Sequence, residues 1–236
     1  MNRLLLSFLL LFFISCSPLK KYEDLQEVKN WNSEIEKFED LDKTESYPSN
    51  SILFAGSSSI RLWSTLSADM SPYQVIQRGY GGAKLSDLAV YANRIFSPHT
   101  CSAIVIFVAN DITGTEQDKD PEEVAALFKN VLKTIRKSHP STPVFWIAIT
   151  PTPSRWKVWP EIKNANSLIE NICMHKSNTY FIRSDFAFLN ENGMPIEEYF
   201  VSDKLHLSEK GYKVWNELIK GEITKVLHPA DSNIKH

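Results

Sequence analysis

An aspartate and a histidine stand three residues apart in Asp203-Lys204-Leu205-His206. A carboxylate bonded to one imidazole nitrogen sets the tautomer and leaves the other nitrogen free to take a proton. In a turn of helix, residues three apart share a face, so the two side chains would meet. Of the six histidines, only His206 has an acidic residue at this spacing in a loop behind a strand pattern. His99 and His139 each adjoin a proline, His175 falls in a helical pattern, and His228 and His236 lie in the tail. Those five read as structural or solvated. An Asp-x-x-His pair on its own arises often by chance.

A base of this kind needs a nucleophile. The run Gly56-Ser57-Ser58-Ser59-Ile60 offers three hydroxyls directly behind an apolar stretch. It reads equally as a strand-to-helix turn with capping hydroxyls or as an anion cradle at a helix start. It is not a Gly-x-Ser-x-Gly elbow, because Ile60 fills the last place, and no Gly-Lys-Ser/Thr follows to make a P-loop. Acyl transfer also needs donors aimed at the developing oxyanion. Two segments offer them: the glycine-rich Gly79-Tyr80-Gly81-Gly82, where backbone can approach a ligand closely, and the side-chain amide of Asn110 in Asn110-Asp111.

These segments sit between apolar runs. Residues 51–55, 75–77, 104–108, 144–149 and 179–182 read as five short strands, mostly continuous in apolar character. Between them lie helical stripes, including Leu85/Leu88/Ala92/Ile95, Val124/Leu127/Phe128/Val131/Leu132/Ile135 and Ile162/Ala165/Ile169/Ile172. Asp120-Pro121 is a helix start, and Ser208 can cap a last helix carrying Trp215, Ile219 and Ile223. Residues 30–42 form a further amphipathic helix with Trp31, Ile35, Phe38 and Leu41 on one side. Continuous apolar strands alternating with helices predict a parallel sheet covered on both faces, a doubly wound α/β fold. In such sheets, sites form beyond the carboxyl ends of the strands. The serine run, the glycine turn, Asn110-Asp111, Pro151-Thr152-Pro153-Ser154-Arg155-Trp156 and the Asp203/His206 segment all fall there.

The composition agrees with one globular domain: 236 residues, 43% hydrophobic and 23% charged, with no internal repeat. A net charge of −2 without a basic stripe argues against a nucleic-acid partner. Residues 1–15 read as a secretory signal: Arg3, then an apolar run over residues 4–14 that is too short for the ~20 residues of a spanning helix. Phe13-Ile14-Ser15-Cys16 resembles a bacterial lipobox, which predicts lipidation of Cys16 and a membrane anchor. Ser17 behind it, rather than aspartate, fits export to an outer membrane, facing the periplasm or the surface. Residues 16–29 then read as lipidated cysteine and tether, 30–228 as the domain, and 229–236 as a tail. Cys101 and Cys173 read as two buried free thiols, with no metal-ligand spacing.

Taken together, these blocks resemble the SGNH (GDSL-like) hydrolase family over roughly residues 50–225. Phe54-Ala55-Gly56-Ser57-Ser58-Ser59-Ile60 is similar to its first block, and the Gly-x-Ser register places the nucleophile at Ser58. Gln77-Arg78-Gly79-Tyr80-Gly81-Gly82 resembles the second, implying an oxyanion N–H at Gly82. Val108-Ala109-Asn110-Asp111 resembles the third, implying Asn110 as the amide donor. Asp203-Lys204-Leu205-His206 resembles the last, implying Asp203 as orienter and His206 as base. Val108 stands where the family has glycine, a change expected to narrow the site or tilt Asn110, and Gln77 stands where asparagine is common.

The resemblance implies a three-layer α/β/α sandwich, flavodoxin-like, with five parallel strands and no metal or organic cofactor. It also implies two-step ester hydrolysis with the Ser58 N–H, Gly82 N–H and Asn110 amide around the oxyanion. Trp63, Trp156 and Trp159, with Arg61 and Arg155, are expected near the site edge; Arg155 and Trp156 are candidates for substrate contact. An aromatic rim of that kind suits short-acyl, O-acetyl esters of carbohydrates. A lysophospholipase or thioesterase acting on lipid acyl groups, or a glycan-binding lipoprotein without catalysis, are the alternatives. The latter would hold the serine far from His206.

Overall fold

The computed structural model describes residues 19–229. Residues 1–18 and 230–236, which include the expected signal segment, the expected lipidation site Cys16 and the tail, lie outside the described residues.

Strands β1 (Ile52–Gly56), β2 (Val75–Gly79), β3 (Ala103–Phe107), β4 (Val144–Ile147) and β5 (Thr179–Ile182) form one sheet in the order β2-β1-β3-β4-β5. All four pairings are parallel. This is the expected five-stranded α/β fold. β4 stops two residues before the end of its apolar run because Ile149 leaves the ladder. Its N–H and carbonyl bond instead to the side-chain amide of Asn166, at 2.8 and 2.9 Å.

The helices that flank the sheet and carry the site are α1 (Asn32–Thr44), α2 (Ser58–Arg61), α3 (Leu85–Phe96), α4 (Pro121–Ser138), α5 (Trp159–Met174) and α6 (Glu209–Leu227). Alternate strand residues face opposite sides of the sheet, as the pleat requires. Leu53, Ile104, Ile106 and Trp146 pack with the apolar stripes of α1, α3, α4 and α5. Ile52, Phe54, Val105, Phe145 and Ile147 pack with α2 and α6 on the other face. Burying each such side chain contributes ~1.5–3 kcal/mol, so these two seams carry the fold. Ser208 caps α6 as expected, its Oγ accepting from the Gly211 N–H at 3.3 Å.

Two expectations need correction. Residues 20–29 are not a loose tether. They form two short helical turns, Lys20–Glu23 and Gln26–Lys29, whose Tyr22 and Val28 are buried in the main core. Tyr22 donates to Glu123 and Tyr91 donates to the Val28 carbonyl, which ties the segment to α4 and α3. In α1, only Ile35 of the predicted stripe is fully buried; Trp31 and Phe38 pack at the rim and Leu41 is exposed. Cys101 and Cys173 are buried free thiols, as read from the sequence. Among the described residues, no helix is long and apolar enough to cross a membrane.

Candidate active site

β1 ends on Gly56 in a conformation (φ +135°) that side chains avoid, and a Cβ there would lie 1.9 Å from the Phe107 carbonyl oxygen. The glycine lets the chain turn sharply off the sheet, and the Ser57 N–H then bonds that same oxygen at 2.8 Å. Ser58 opens α2 immediately beyond the turn. Ser57 is buried, and so is Ser59, whose carbonyl accepts from the Tyr212 hydroxyl at 2.9 Å. Ile60 packs into the core beneath. Gln77, in the place where asparagine is common, donates to the Ile60 and Trp63 carbonyls at 2.6 and 3.2 Å. It thereby fastens the end of α2 to β2.

His206 Nε2 lies 3.0 Å from Ser58 Oγ, and its Nδ1 lies 2.6 Å from Asp203 Oδ2. The second oxygen of Asp203 accepts the N–H groups of Leu205 and His206, each at 2.9 Å. Burial pushes the Asp203 carboxyl up, but the hydrogen bonds from the His206 ring and from these two N–H groups outweigh it and hold it at about 2. The expected turn of helix is not what joins the pair. Lys204 between them has a left-handed backbone (φ +57°). The segment is a tight turn closed by the Val201 N–H to His206 carbonyl bond (2.9 Å) and the Phe200–Leu207 bridge. Helical φ at position 204 would unwind the closure, so an antiparallel turn, not helical periodicity, brings acid and base together.

The cleft at Ser58 is small, about 20 Å³, and its lining includes Asn110, Thr150, Arg155, Leu205, His206 and Trp215. That volume holds about one water-sized group. Asn110 donates through Nδ2 to the Ala83 carbonyl at 3.0 Å and accepts through Oδ1 from Arg155 at 2.7 Å. A primary amide has two N–H donors. One is spent on Ala83, and the other is left for the cleft. Gly82, the other expected donor, sits in the adjoining turn with φ +72°. It lines a neighbouring pocket beside Trp31 and not the cleft itself.

Arg155 and Trp156, expected to meet substrate, have other partners. Arg155 lines the cleft, yet its guanidinium is taken by Asn110 and by the Ala109 carbonyl at 2.6 Å. Trp156 stacks on Trp159 and packs against the core. Trp63 is wholly buried between Phe54, Tyr212 and Trp215, so it does not edge the site. Val108 is fully buried on the α3/α4 side of the sheet and does not line the cleft, so it does not narrow it. The role of Arg155 carried no sequence signal, because its partner is an amide 45 residues away. Among the described residues, no three His, Cys, Asp or Glu side chains group as a metal site.

A serine, a histidine and an aspartate joined in series beyond the carboxyl edge of a parallel five-stranded sheet is an arrangement that can support nucleophilic catalysis. Residues 44–214 match the GDSL-like lipase/acylhydrolase family, and the chain belongs to that family. Among solved structures it is similar to a Streptococcus pneumonia protein named for platelet activating factor. The identity is 19%, the TM-score 0.73, and the match covers 84% of this chain and 97% of that one. A GDSL-like lipase from Bacteroides thetaiotaomicron matches at 16% identity and TM-score 0.67, over 81% and 98% of the two chains. A family 3 carbohydrate esterase from Talaromyces cellulolyticus matches at 13% identity and TM-score 0.60, over 77% and 99%. At these identities the likeness is one of fold. A comparison with curated proteins found no match.

Proposed function

We propose that the protein is a serine esterase for short-acyl, O-acetyl esters of carbohydrates. The observation that carries this reading is the unbroken chain Asp203–His206–Ser58, with bonds of 2.6 and 3.0 Å, beside a cleft of about 20 Å³. A binding module has no use for a base hydrogen-bonded to a hydroxyl. A cleft this small suits an acetyl group better than a lipid acyl chain.

In this reading His206 Nε2 takes the Ser58 proton as Oγ attacks the ester carbonyl carbon. The oxyanion is held by the second Asn110 N–H and the Ser58 N–H, the two of the three expected donors that line the cleft. Collapse breaks the ester C–O bond, and the leaving alkoxide takes the proton from His206. Water then attacks the acyl-Ser58 ester, His206 again accepting and returning a proton, and the acid leaves. Asp203 holds the ring and offsets its transient charge. The sugar-ester fold relative supports, by analogy, the carbohydrate half of the reading.

The test is hydrolysis of p-nitrophenyl acetate and p-nitrophenyl octanoate by wild type, Ser58→Ala and His206→Ala. Acetate turnover lost in both variants, with octanoate poor throughout, is the expected result. Turnover equal to wild type in either variant would overturn the assignment. Preference for octanoate would move the protein to the lipid-acyl class.

We also propose that Cys16 is lipidated and holds the protein to an outer membrane. Wild type is then recovered with membranes and Cys16→Ser in the soluble fraction; equal partition would exclude the anchor.

A further inference from the structure

Next to the cleft lies a larger pocket of about 370 Å³, lined by Glu27, Asn30, Trp31, Gly82, Lys84 and Asp87. That size falls within the ~300–1,000 Å³ of small-ligand sites. Its outer wall is formed by Glu27, Asn30 and Trp31, where the segment read as tether runs into the start of α1. Buried Val28 and the Tyr91 to Val28 bond at 3.1 Å hold that wall in place. Trp31 is half-buried, 5.2 Å from the Tyr80 ring, and a Cβ on Gly82 would lie 3.3 Å from its indole. Pocket and cleft share one turn: Gly82 lines the pocket, while the carbonyl of Ala83 holds the Asn110 amide that lines the cleft.

The lining has the chemistry of a sugar seat. An indole offers a flat apolar face for the C–H side of a pyranose ring. Around it stand an amide (Asn30) and a carboxylate paired with an ammonium, Glu27 to Lys84 at 3.1 Å. Such groups donate to and accept from hydroxyls in turn. Two acidic residues against one lysine disfavour an anionic ligand such as a phosphate headgroup or a uronate.

We propose that this pocket is a glycan subsite. It seats a neutral, hydroxyl-rich sugar ring against Trp31, with Glu27, Asn30 and Lys84 on its hydroxyls, so that an ester on the same glycan reaches Ser58 across the Gly82–Ala83 turn. Its part in catalysis rests on the esterase reading; the binding itself does not.

The experiment titrates the full chain carrying Ser58→Ala, which prevents turnover, by calorimetry. The probes are neutral xylo-, manno- and chito-oligosaccharides of about four to six units, with oligogalacturonate as the anionic counterpart. At least one neutral series binds with Kd below about 10 mM. Adding Trp31→Ala weakens it by about tenfold or more, Trp31→Phe restores most of it, and oligogalacturonate binds more weakly. Should Trp31→Ala fail to fold, the exposed pair Glu27→Ala/Asn30→Ala weakens binding at least threefold in its place. No neutral binding at about 10 mM, binding unchanged in the substituted proteins, or preference for oligogalacturonate overturns the subsite. p-Nitrophenyl acetate turnover by wild type separates the two readings. Turnover without glycan binding removes the subsite alone, and glycan binding without turnover removes the esterase alone.

Discussion

The Arg155 guanidinium donates to Asn110 Oδ1 at 2.7 Å and to the preceding residue's carbonyl, that of Ala109, at 2.6 Å. The pair of bonds decides which way the Asn110 amide faces: oxygen toward Arg155, nitrogen toward Ala83 and the cleft. Burial lowers the Arg155 pKa, but a guanidinium remains charged at any working pH. Removing it lets the amide turn. Arg155→Ala therefore lowers kcat on p-nitrophenyl acetate by about 10²-fold, the size of a lost oxyanion donor, with a smaller change in KM. Arg155→Lys recovers only part, since lysine lacks the fork that reaches both oxygens. An unchanged kcat in Arg155→Ala would show that Asn110 needs no such support.

Asp203→Asn tests the tautomer of His206. Asp203 Oδ1 accepts two backbone N–H groups. An asparagine must put its only carbonyl oxygen there, which aims its NH₂ at His206 Nδ1. The imidazole then carries its proton on Nε2 and points a donor, not an acceptor, at Ser58. The expected loss in kcat is about 10³–10⁴-fold with the fold intact, read from steady-state kinetics beside circular dichroism. A loss under tenfold would mean that Asp203 contributes little to orientation.

Lys204 carries the left-handed backbone that closes the acid–base turn. Glycine takes that conformation freely, whereas a β-branched residue pays ~1–2 kcal/mol or more to enter it. Both substitutions delete the exposed ion pair with Glu197, so that loss cancels in a comparison. Lys204→Val is expected to show kcat at least tenfold below Lys204→Gly, and a lower Tm. Equal kinetics in the two variants would show that the turn tolerates other backbones.

Asp87 titrates where it affects stability. Burial, reinforced by Asp111, raises its carboxyl to about 6 against the partial relief of the Lys84 N–H bond. The folded state thus holds this proton more tightly than the unfolded chain, whose carboxyl titrates near 4. Stability therefore falls as pH rises from about 4 to 6, and the penalty, roughly 3 kcal/mol at most, persists above that. Asp87→Asn keeps an acceptor for the Lys84 N–H without a charge to bury. Its Tm should exceed wild type by about 5 °C at pH 8, and the gap should close by about pH 4 in calorimetric scans. A gap independent of pH would mean that the carboxyl is not the source.

The chain order of the site was legible in the sequence because its signals are local. Continuous apolar runs marked β1, β3 and β4, since a strand buried on both faces needs no polar alternation, while β2 and β5 were marked by shorter, weaker runs. The same reading put every polar segment beyond one sheet edge, and the Asp203/His206 spacing marked the pair that meets Ser58. Residue type and spacing alone did not separate Ser57, Ser58 and Ser59; only the family resemblance pointed to Ser58. The turn at Gly56 separates them, burying the first and third and aiming the second at an imidazole 148 residues away.

Only the tertiary structure decided the rest. Trp63 and Trp31 are the same residue type, yet one is sealed in the core and the other walls a pocket. Arg155 reads as a surface contact for substrate and instead holds Asn110. Residues 20–29 read as tether, but Tyr22 and Val28 find apolar partners on α3 and α4. Periodicity states which face of an element avoids water. It does not state which distant donor wins a given carbonyl or amide, because that competition is settled only when the elements pack.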